Sequence, residues 1–208
     1  MDDKYVALPE SRRHMGRGRP KGFDRDEALD KALTHFYAHG YQGSGMTDLL
    51  EQMGIARQSL YSAFGDKKRL FLEVIDRYDS MQMAQMTEIL QAPGSPLENV
   101  KNLLRFAGQM ALDPRYPGCL VGNTVAELGV SEADVTVALQ DHFKFAESEI
   151  GGTLKRAKDA GELPKSVNCR ALAHTLCCVV QGLFIRTKLN PDPQYIQDVV
   201  ETAISLID

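Results

Sequence analysis

The chain lacks any apolar run approaching the roughly 20 residues that a membrane-spanning helix requires, and no apolar stretch near its start indicates a secretory signal. Tryptophan is absent, and cysteine is scarce. The four cysteines are Cys119, Cys169, Cys177 and Cys178. They do not have the paired spacing of metal ligands. We therefore expect a cytoplasmic protein in a reducing compartment, with no membrane segment, no metal and no cofactor.

The formal net charge is −4, and the charged residues are unevenly distributed along the sequence. Residues 1–77 carry 13 Lys and Arg against 12 Asp and Glu, whereas the remainder carries 11 against 16. Residues 11–23 contain no acidic residue and hold Arg12, Arg13, Arg17, Arg19 and Lys21. An acidic body with a basic arm is typical of a protein that touches a polyanion at one end only.

Apolar residues spaced three and four apart, interrupted by Gly and Pro breaks, predict an all-α fold of about nine helices. Residues 1–22 lack this periodicity and are interpreted as a basic, flexible arm. Asp24, Asp66 and Ser131 are predicted N-caps, and Gly40 is predicted to end the first helix. Later helices are expected over residues 97–112, 119–128, 168–189 and 193–207.

Residues 46–64 predict two short helices joined by a tight turn at Gly54. Thr47 is a candidate cap for the first helix. The second begins near Arg57 and turns Leu60 and Phe64 inward. Its outward face is polar and consists of Arg57, Gln58, Ser59, Tyr61 and Ser62. Such a helix suits the major groove of DNA, although an ordinary helical hairpin has the same pattern.

The N-terminal third of the chain resembles the tetracycline-repressor (TetR) family of bacterial transcription regulators. The resemblance covers about residues 23–72 and is carried by FYAHGY at 36–41, MTDLLEQMGIA at 46–56 and LYSAFGDKKRL at 60–70. It implies a helix-turn-helix DNA-binding domain over residues 23–68. It also implies an all-helical effector-binding and dimerisation domain over residues 69–208. The family usually has asparagine or histidine where this chain has Ser62.

The expected DNA contacts divide into phosphate contacts, which fix register, and base contacts, which read sequence. The resemblance and their chemistry assign Thr47 and Tyr61 to phosphate. Lys67 joins them because it begins a helix, whose N-terminus attracts anions. The expected base readers are Arg57, Gln58 and Ser59, since a guanidinium pairs with guanine and an amide with adenine. A packing role for Tyr61 and an ordinary surface charge at Lys67 are the alternatives.

The arm contains RGRPK at residues 17–21, which resembles the core of an AT-hook. Arg17, Arg19 and Lys21 would then lie in the minor groove of A·T-rich DNA, whose narrow groove attracts Arg. A basic tail that adds only nonspecific affinity is the alternative. Both interpretations predict DNA binding that weakens steeply with salt.

The helix predicted over residues 168–189 is apolar almost all round, so both of its sides must be covered. One side can pack on its own domain, and a two-fold partner can cover the other. Together with the last helix it predicts a four-helix homodimer interface. A fully intramolecular core helix is the alternative.

A short polar face in the C-terminal part marks a candidate effector site. Cys119, Asn123 and Glu127 recur every four residues on one helix. The segment resembles one in a TetR subgroup that includes electrophile-responsive regulators. Cys119 is either a sensing thiol at a helix N-terminus or a buried structural residue. Further effector-binding candidates are Met83, Phe106, Met110 and Phe143.

The histidines do not predict an additional functional site from the sequence. His142 and His174 have no acidic or cysteine partner near in sequence, and neither predicts a metal or catalytic site.

The sequence thus predicts a one-component regulator, a homodimer that binds a palindromic double-stranded DNA operator. A repressor released by a small-molecule effector fits best, and no enzymatic activity is expected. A redox- or electrophile-sensing regulator acting through Cys119 is the alternative. An all-helical thiol enzyme is weaker because no base or phosphate-binding loop is visible, and a helical adaptor does not account for the basic arm.

Overall fold

The protein is described from a computed structural model that covers residues 22–113, 116, 118–189 and 192–208. Within these residues the chain forms α-helices and one 3₁₀ turn, and no strand. The helices are α1 (Arg25–His39), α2 (Met46–Met53), α3 (Arg57–Phe64), α4 (Lys67–Leu90), α5 (Pro96–Leu112), α6 (Leu120–Leu128), α7 (Ala133–Asp159), α8 (Cys169–Arg186) and α9 (Pro193–Ser205). This confirms the all-α prediction. In these ranges no helix combines the length and apolarity needed to cross a membrane.

Capping side chains set several of the helix boundaries that the sequence predicts. The Asp24 carboxylate accepts hydrogen bonds from the amides of Asp26 and Glu27 at 2.9 and 3.2 Å. Asp66 accepts from the amide of Arg69 at 2.9 Å and so caps α4. At the end of α1, Gly40 has φ 72°, a conformation that favours glycine. These three predictions are confirmed.

Two predicted caps are wrong, and both errors come from hydroxyl residues near a helix start. The N-cap of α2 is Gly45, which makes no side-chain bond, so Thr47 lies inside the first turn. The Ser131 hydroxyl donates backwards to the Leu128 carbonyl at 2.7 Å. It thereby closes the preceding turn, and α7 begins after Glu132 without a side-chain cap. Hydroxyls bond to several nearby backbone groups, which makes their capping role hard to assign.

Two later helices are shorter than predicted. α8 ends at Arg186, and the chain continues as a 3₁₀ turn over Thr187–Leu189. α9 ends at Ser205. Helices commonly tighten or fray in their last turn because the final carbonyls have no partner within the helix.

The chain divides into two compact units, one ending at Tyr78 and the other beginning at Asp79. In the first, α1 and α4 enclose an aromatic centre. The Phe71 ring centroid lies 4.8 Å from those of both Phe36 and Tyr41. The buried residues that α2 and α3 add to this core are Leu49, Met53, Leu60 and Phe64.

The second unit packs α5 against α7, α8 and α9. A Cβ at Gly108 would lie 2.8 Å from Cγ2 of Val200. Glycine at this position therefore allows α5 and α9 to pack closely. Buried Asn99 donates to the Ala92 carbonyl at 2.7 Å. It also donates to the Leu90 carbonyl at 3.3 Å and so satisfies a buried backbone acceptor at the C-terminal end of α4.

Candidate nucleic-acid interface and effector site

The α2–α3 segment presents a polar helix face to solvent. Gly54 adopts the left-handed conformation (φ 68°, ψ 32°), and its amide bonds the Leu50 carbonyl at 3.0 Å, which makes the turn tight. Leu60 and Phe64 of α3 are buried. The exposed residues of α3 include Arg57, Gln58, Tyr61 and Ser62, and Ser59 is half-buried. The predicted outward face of this helix is therefore present.

The side chain of Arg25 on α1 contacts the C-terminal end of α3 and also pairs with α4. Its Nη2 lies 2.6 Å from a carboxylate oxygen of Glu73 on α4 and 3.3 Å from the Ala63 carbonyl at the end of α3. The guanidinium carbon also stands 4.5 Å from the Phe64 ring centroid. One residue of α1 thus links α3 to α4. Sequence reasoning missed Arg25 because its partners lie 38 to 48 positions away.

The three side chains predicted to contact phosphate differ in their exposure and in their contacts. Thr47 is exposed, and its hydroxyl is not used as a cap at the start of α2. Tyr61 is 49% exposed, so its ring is not enclosed in the core. Lys67 is half-buried, with Nζ 4.5 Å above the Tyr41 ring centroid, a geometry that orients the ammonium group.

Positive charge accompanies the polar face. Residues 57–69 contain four basic residues, Arg57, Lys67, Lys68 and Arg69, and one acidic residue, Asp66. The arm residues Arg17, Arg19 and Lys21 lie outside the described residues, so their minor-groove role stays a prediction.

The candidate effector residues all lie in the second unit. Met110 and Cys119 are buried. Half-buried are Met83, Phe106, Asn123, Glu127 and Phe143. None of them lines the surface groove between α7 and α8 or the surface groove between α8 and α9. Their effector role stays a prediction.

The second unit instead brings together three groups that are distant in sequence. His142 Nδ1 lies 2.7 Å from Oδ1 of Asp79, and the imidazole also hydrogen-bonds the Cys119 thiol. Burial would lower the pKa of His142, but the hydrogen bonds and charges of Asp79 and Cys119 raise it to about 9. His142 has no such partner near in sequence, as predicted, but the fold supplies one from 63 positions away. Its partners lie on α4 and at the start of α6, and no spacing pattern in the sequence predicts these contacts.

The residues that the structure describes leave one face of α8 exposed. Its buried residues are Ala173, Leu176 and Leu183, whereas Cys178 and Ile185 are exposed. Tyr195 of α9 is 42% exposed, and Leu206, directly after that helix, is 55% exposed. An interpretation of α8 as an entirely internal helix is therefore wrong.

Comparison with known proteins accords with this architecture. Residues 28–74 match the family described as "Bacterial regulatory proteins, tetR family". Residues 96–203 match "Tetracyclin repressor-like, C-terminal domain". The chain belongs to the tetracycline-repressor family and is a DNA-binding transcriptional regulator.

Particular relatives cover almost the whole chain. The HTH-type transcriptional regulator YezE of Bacillus subtilis is 33% identical over 92% of this chain and 100% of its own length. The HTH-type transcriptional repressor ComR of Escherichia coli is 29% identical over 91% of each chain. Among solved structures, a cysteine mutant of the TetR-family regulator CifR, complexed with 26-bp operator DNA, superimposes with a TM-score of 0.82. It is 30% identical over 90% of this chain and 98% of that chain.

Proposed function

We propose that this regulator is a homodimeric repressor that occupies a palindromic operator and is released from it by a small-molecule effector. The exposed polar face of α3 carries the proposal, because its Arg57 and Gln58 side chains make no hydrogen bond or ion pair with any described residue. A guanidinium and an amide held outward on a rigid helix are the groups that read guanine and adenine in the major groove.

The phosphate contacts would come from the ends of neighbouring helices. The start of α2 has no side-chain cap, so its first amides and the Thr47 hydroxyl are available to a phosphate oxygen. Tyr61 and Lys67 would supply two further phosphate contacts. These contacts set the register of the helix and carry no sequence information.

The uncovered faces of α8 and α9 support a dimer. Exposed Ile185 and Leu206 and half-exposed Tyr195 place apolar area on the outside of two adjacent helices. A second copy related by a two-fold axis would bury this area against itself. Two recognition helices in such a pair would read half-sites in inverted orientation, which is why we propose a palindromic operator.

Repression and its release complete the proposal. The repressor ComR and the operator-bound CifR are similar to this chain along most of its length, and we infer that this chain acts on DNA in the cytoplasm. An effector releases the operator only if it binds better to the conformation that does not fit DNA. The half-buried residues of the second unit are where we place that effector.

The test is a binding titration with DNA from upstream of the regulator's own gene, followed by fluorescence anisotropy. Arg57→Ala and Gln58→Ala should each weaken specific binding about 5- to 150-fold, equivalent to roughly 1–3 kcal/mol, and leave binding to unrelated DNA unchanged. Lys155→Ala is a matched control, because Lys155 is an exposed cation of α7 paired only with Asp159. Equal affinity of all variants for the operator would overturn the base-reading role.

A further inference from the structure

Two imidazoles lie side by side near the C-terminal end of α1, in the first unit. His35 and His39 are four positions apart, so their side chains lie on the same face of the helix. Their ring centroids are 4.6 Å apart, and the ring planes are inclined by 41°. His39 is exposed and His35 is half-buried. Ring nitrogens of two residues can therefore be turned toward one point.

One nitrogen of this pair lacks a hydrogen-bond partner among the described residues. It is the Nε2 atom of His35, which is also shielded from solvent. Shielded polar atoms are nearly always hydrogen-bonded, and an exception calls for an explanation such as an ion or a water bound at that atom. Contact with the His39 ring does not satisfy a ring nitrogen, so this atom is available to a ligand.

The loop after α1 brings the start of α2 close to the two histidines. A Cβ at Gly43 would lie 2.3 Å from the carbonyl oxygen of His39, so the loop folds tightly back on the end of α1. The two helices pack together, and the exposed Asp48 lies in the first turn of α2. Its carboxylate and the Lys67 ammonium are the charged groups of other helices that act on the His35 imidazole.

The His35 imidazole is neutral at pH 7, and neutral imidazole is the form that binds metal ions. Burial lowers its pKa below 6.5, and the neighbouring His39 ring lowers it further. The carboxylate of Asp48 raises this pKa and the ammonium of Lys67 lowers it, both by less. A nitrogen lone pair is therefore present without the loss of a proton.

We propose that His35 and His39 bind one divalent transition-metal ion of the zinc and nickel class, with water completing its coordination and Asp48 as the nearby negative charge. Imidazole nitrogen is a ligand that both ions accept. Histidines at i and i+4 on one helix face have the spacing by which zinc-binding helices place two imidazoles on one ion. No three His, Cys, Asp or Glu side chains of the described residues are already grouped as metal ligands. We therefore expect two protein ligands and a moderate affinity.

The other two histidines of the described residues have different surroundings. Nδ1 of His142 is bonded to Asp79 at 2.7 Å, inside the second unit. His174 is 53% exposed and lies 3.7 Å from Glu147. The spacing of the cysteines, which predicts no metal, has no bearing on the pair in α1. His174 therefore serves as a matched single imidazole in the experiments.

The position of the pair gives a bound ion a second consequence. Phosphate contacts are proposed at the start of α2 and at Lys67, and the acidic Asp48 belongs to the same first turn of α2. An ion on the two histidines would add positive charge beside these contacts and offset the carboxylate. We expect stronger binding to every DNA sequence, because the added attraction acts on phosphate and not on bases. This second consequence rests on the proposed function, whereas ion binding does not.

The first experiment is a calorimetric titration of the reduced full-length protein with Zn²⁺. The wild type should bind one ion more than His39→Gln, or bind it at least about tenfold more tightly, because a single imidazole cannot chelate. His35→Gln should behave like His39→Gln, and Asp48→Asn should weaken ion binding about threefold through loss of a nearby charge. His174→Gln should match the wild type. His39 is exposed, so its replacement should not disturb the fold. Equal binding by the wild type and His39→Gln would overturn the site.

A second measurement separates a two-imidazole site from binding to one exposed ring. In protein with isotope-labelled histidine, the ring-nitrogen resonances of His35 and His39 should shift together as Zn²⁺ is added, and both should stop shifting at the same ion concentration. The resonances of His174 should not follow this course. A response of His39 without His35 would mean an adventitious ion only, and the proposal would then be wrong.

The third experiment measures DNA affinity by anisotropy at constant ionic strength, with and without Zn²⁺. The wild type should gain about three- to tenfold in affinity for the operator and for unrelated DNA alike, and His39→Gln should gain nothing. Ion binding without this gain refutes the effect on DNA and leaves the metal site standing. A protein that binds Zn²⁺ at the two histidines but does not bind the operator contradicts the proposed function instead.

Discussion

The guanidinium carbon of Arg25 lies 4.5 Å from the ring centroid of Phe64, the last residue of α3. The same guanidinium pairs with Glu73 on α4. An arginine can stack on a ring and donate to a carboxylate at once because its guanidinium is planar and has five donors. The orientation of the polar face of α3 therefore depends on a residue of α1 that is not expected to touch DNA itself.

Replacing Arg25 by Met should loosen α3 without removing a DNA contact. We expect the free energy of unfolding to fall by about 1–2 kcal/mol, because one cation–π contact and one half-exposed ion pair are lost. Operator affinity should fall while the preference among operator sequences is kept. Urea unfolding and anisotropy measure the two effects. Lys31→Met is the control, since Lys31 forms only an exposed pair with Glu27. Equal losses in both variants would contradict the bridging role.

Lys67 and Tyr61 should behave as phosphate contacts. Lys67→Met should weaken binding to all DNA sequences alike and reduce the slope of log affinity against log salt by about 1. Tyr61→Phe should weaken binding modestly and leave the slope unchanged, because a neutral hydroxyl releases no counterion. Titrations at several salt concentrations give both numbers. A change in sequence preference for either variant would argue for a base contact.

The basic arm supplies a third prediction, derived from sequence alone. Removing residues 1–20 should weaken operator binding and flatten its salt dependence, since Arg17 and Arg19 would no longer neutralise phosphate. Comparing operators with and without A·T-rich flanks tests the minor-groove role. A loss that is equal for both flanks indicates a nonspecific tail, and no loss at all would refute a role for the arm.

The exposed apolar faces of α8 and α9 predict a dimer interface, and a single acidic substitution there should dissociate the dimer. Ile185→Glu and Leu206→Glu should shift the protein to monomer, because an unpaired carboxylate buried at an interface costs several kcal/mol. Sedimentation or light scattering reports the mass. Val137→Glu controls for the added charge, since Val137 on α7 is 57% exposed. If all three variants keep the wild-type mass, the proposed interface is misplaced.

The pair of Asp79 and His142 predicts a specific pH dependence of stability. The folded-state pKa of His142 is raised to about 9 from 6.5, so its stabilisation is complete below about pH 6.5 and is lost as pH rises toward 9. Asp79→Asn should lower the free energy of unfolding at pH 6 by part of the roughly 3 kcal/mol that the whole shift represents, since Cys119 also contributes to it, and by much less above pH 9. Asp141→Asn, which removes only a surface pair, should have the same small effect at both values.

Local patterns in the chain were sufficient for much of the architecture. Asp24, Asp66, Gly40 and Gly54 act where they were predicted to, because caps and left-handed turns depend on a few adjacent residues. The outward face of α3 also follows from the spacing of Leu60 and Phe64. These features need no knowledge of the rest of the fold.

Contacts between distant elements were not predictable in the same way. The roles of Arg25 and His142 depend on helices that are adjacent only in the folded unit, and no periodicity reports such a pairing. The same holds for the uncovered half of α8. Its composition shows that both sides need covering, but only the packed chain shows which side its own neighbours leave open.

The missing side chain at Gly108 limits how this protein can be redesigned. Because even one methyl group there would strike Val200, that stretch of α5 cannot be diversified without first reshaping α9. Half-buried Phe106, two positions earlier, can be varied to test the proposed effector site while position 108 is kept constant. The close packing of α5 on α9 thus restricts which positions of the second unit can vary.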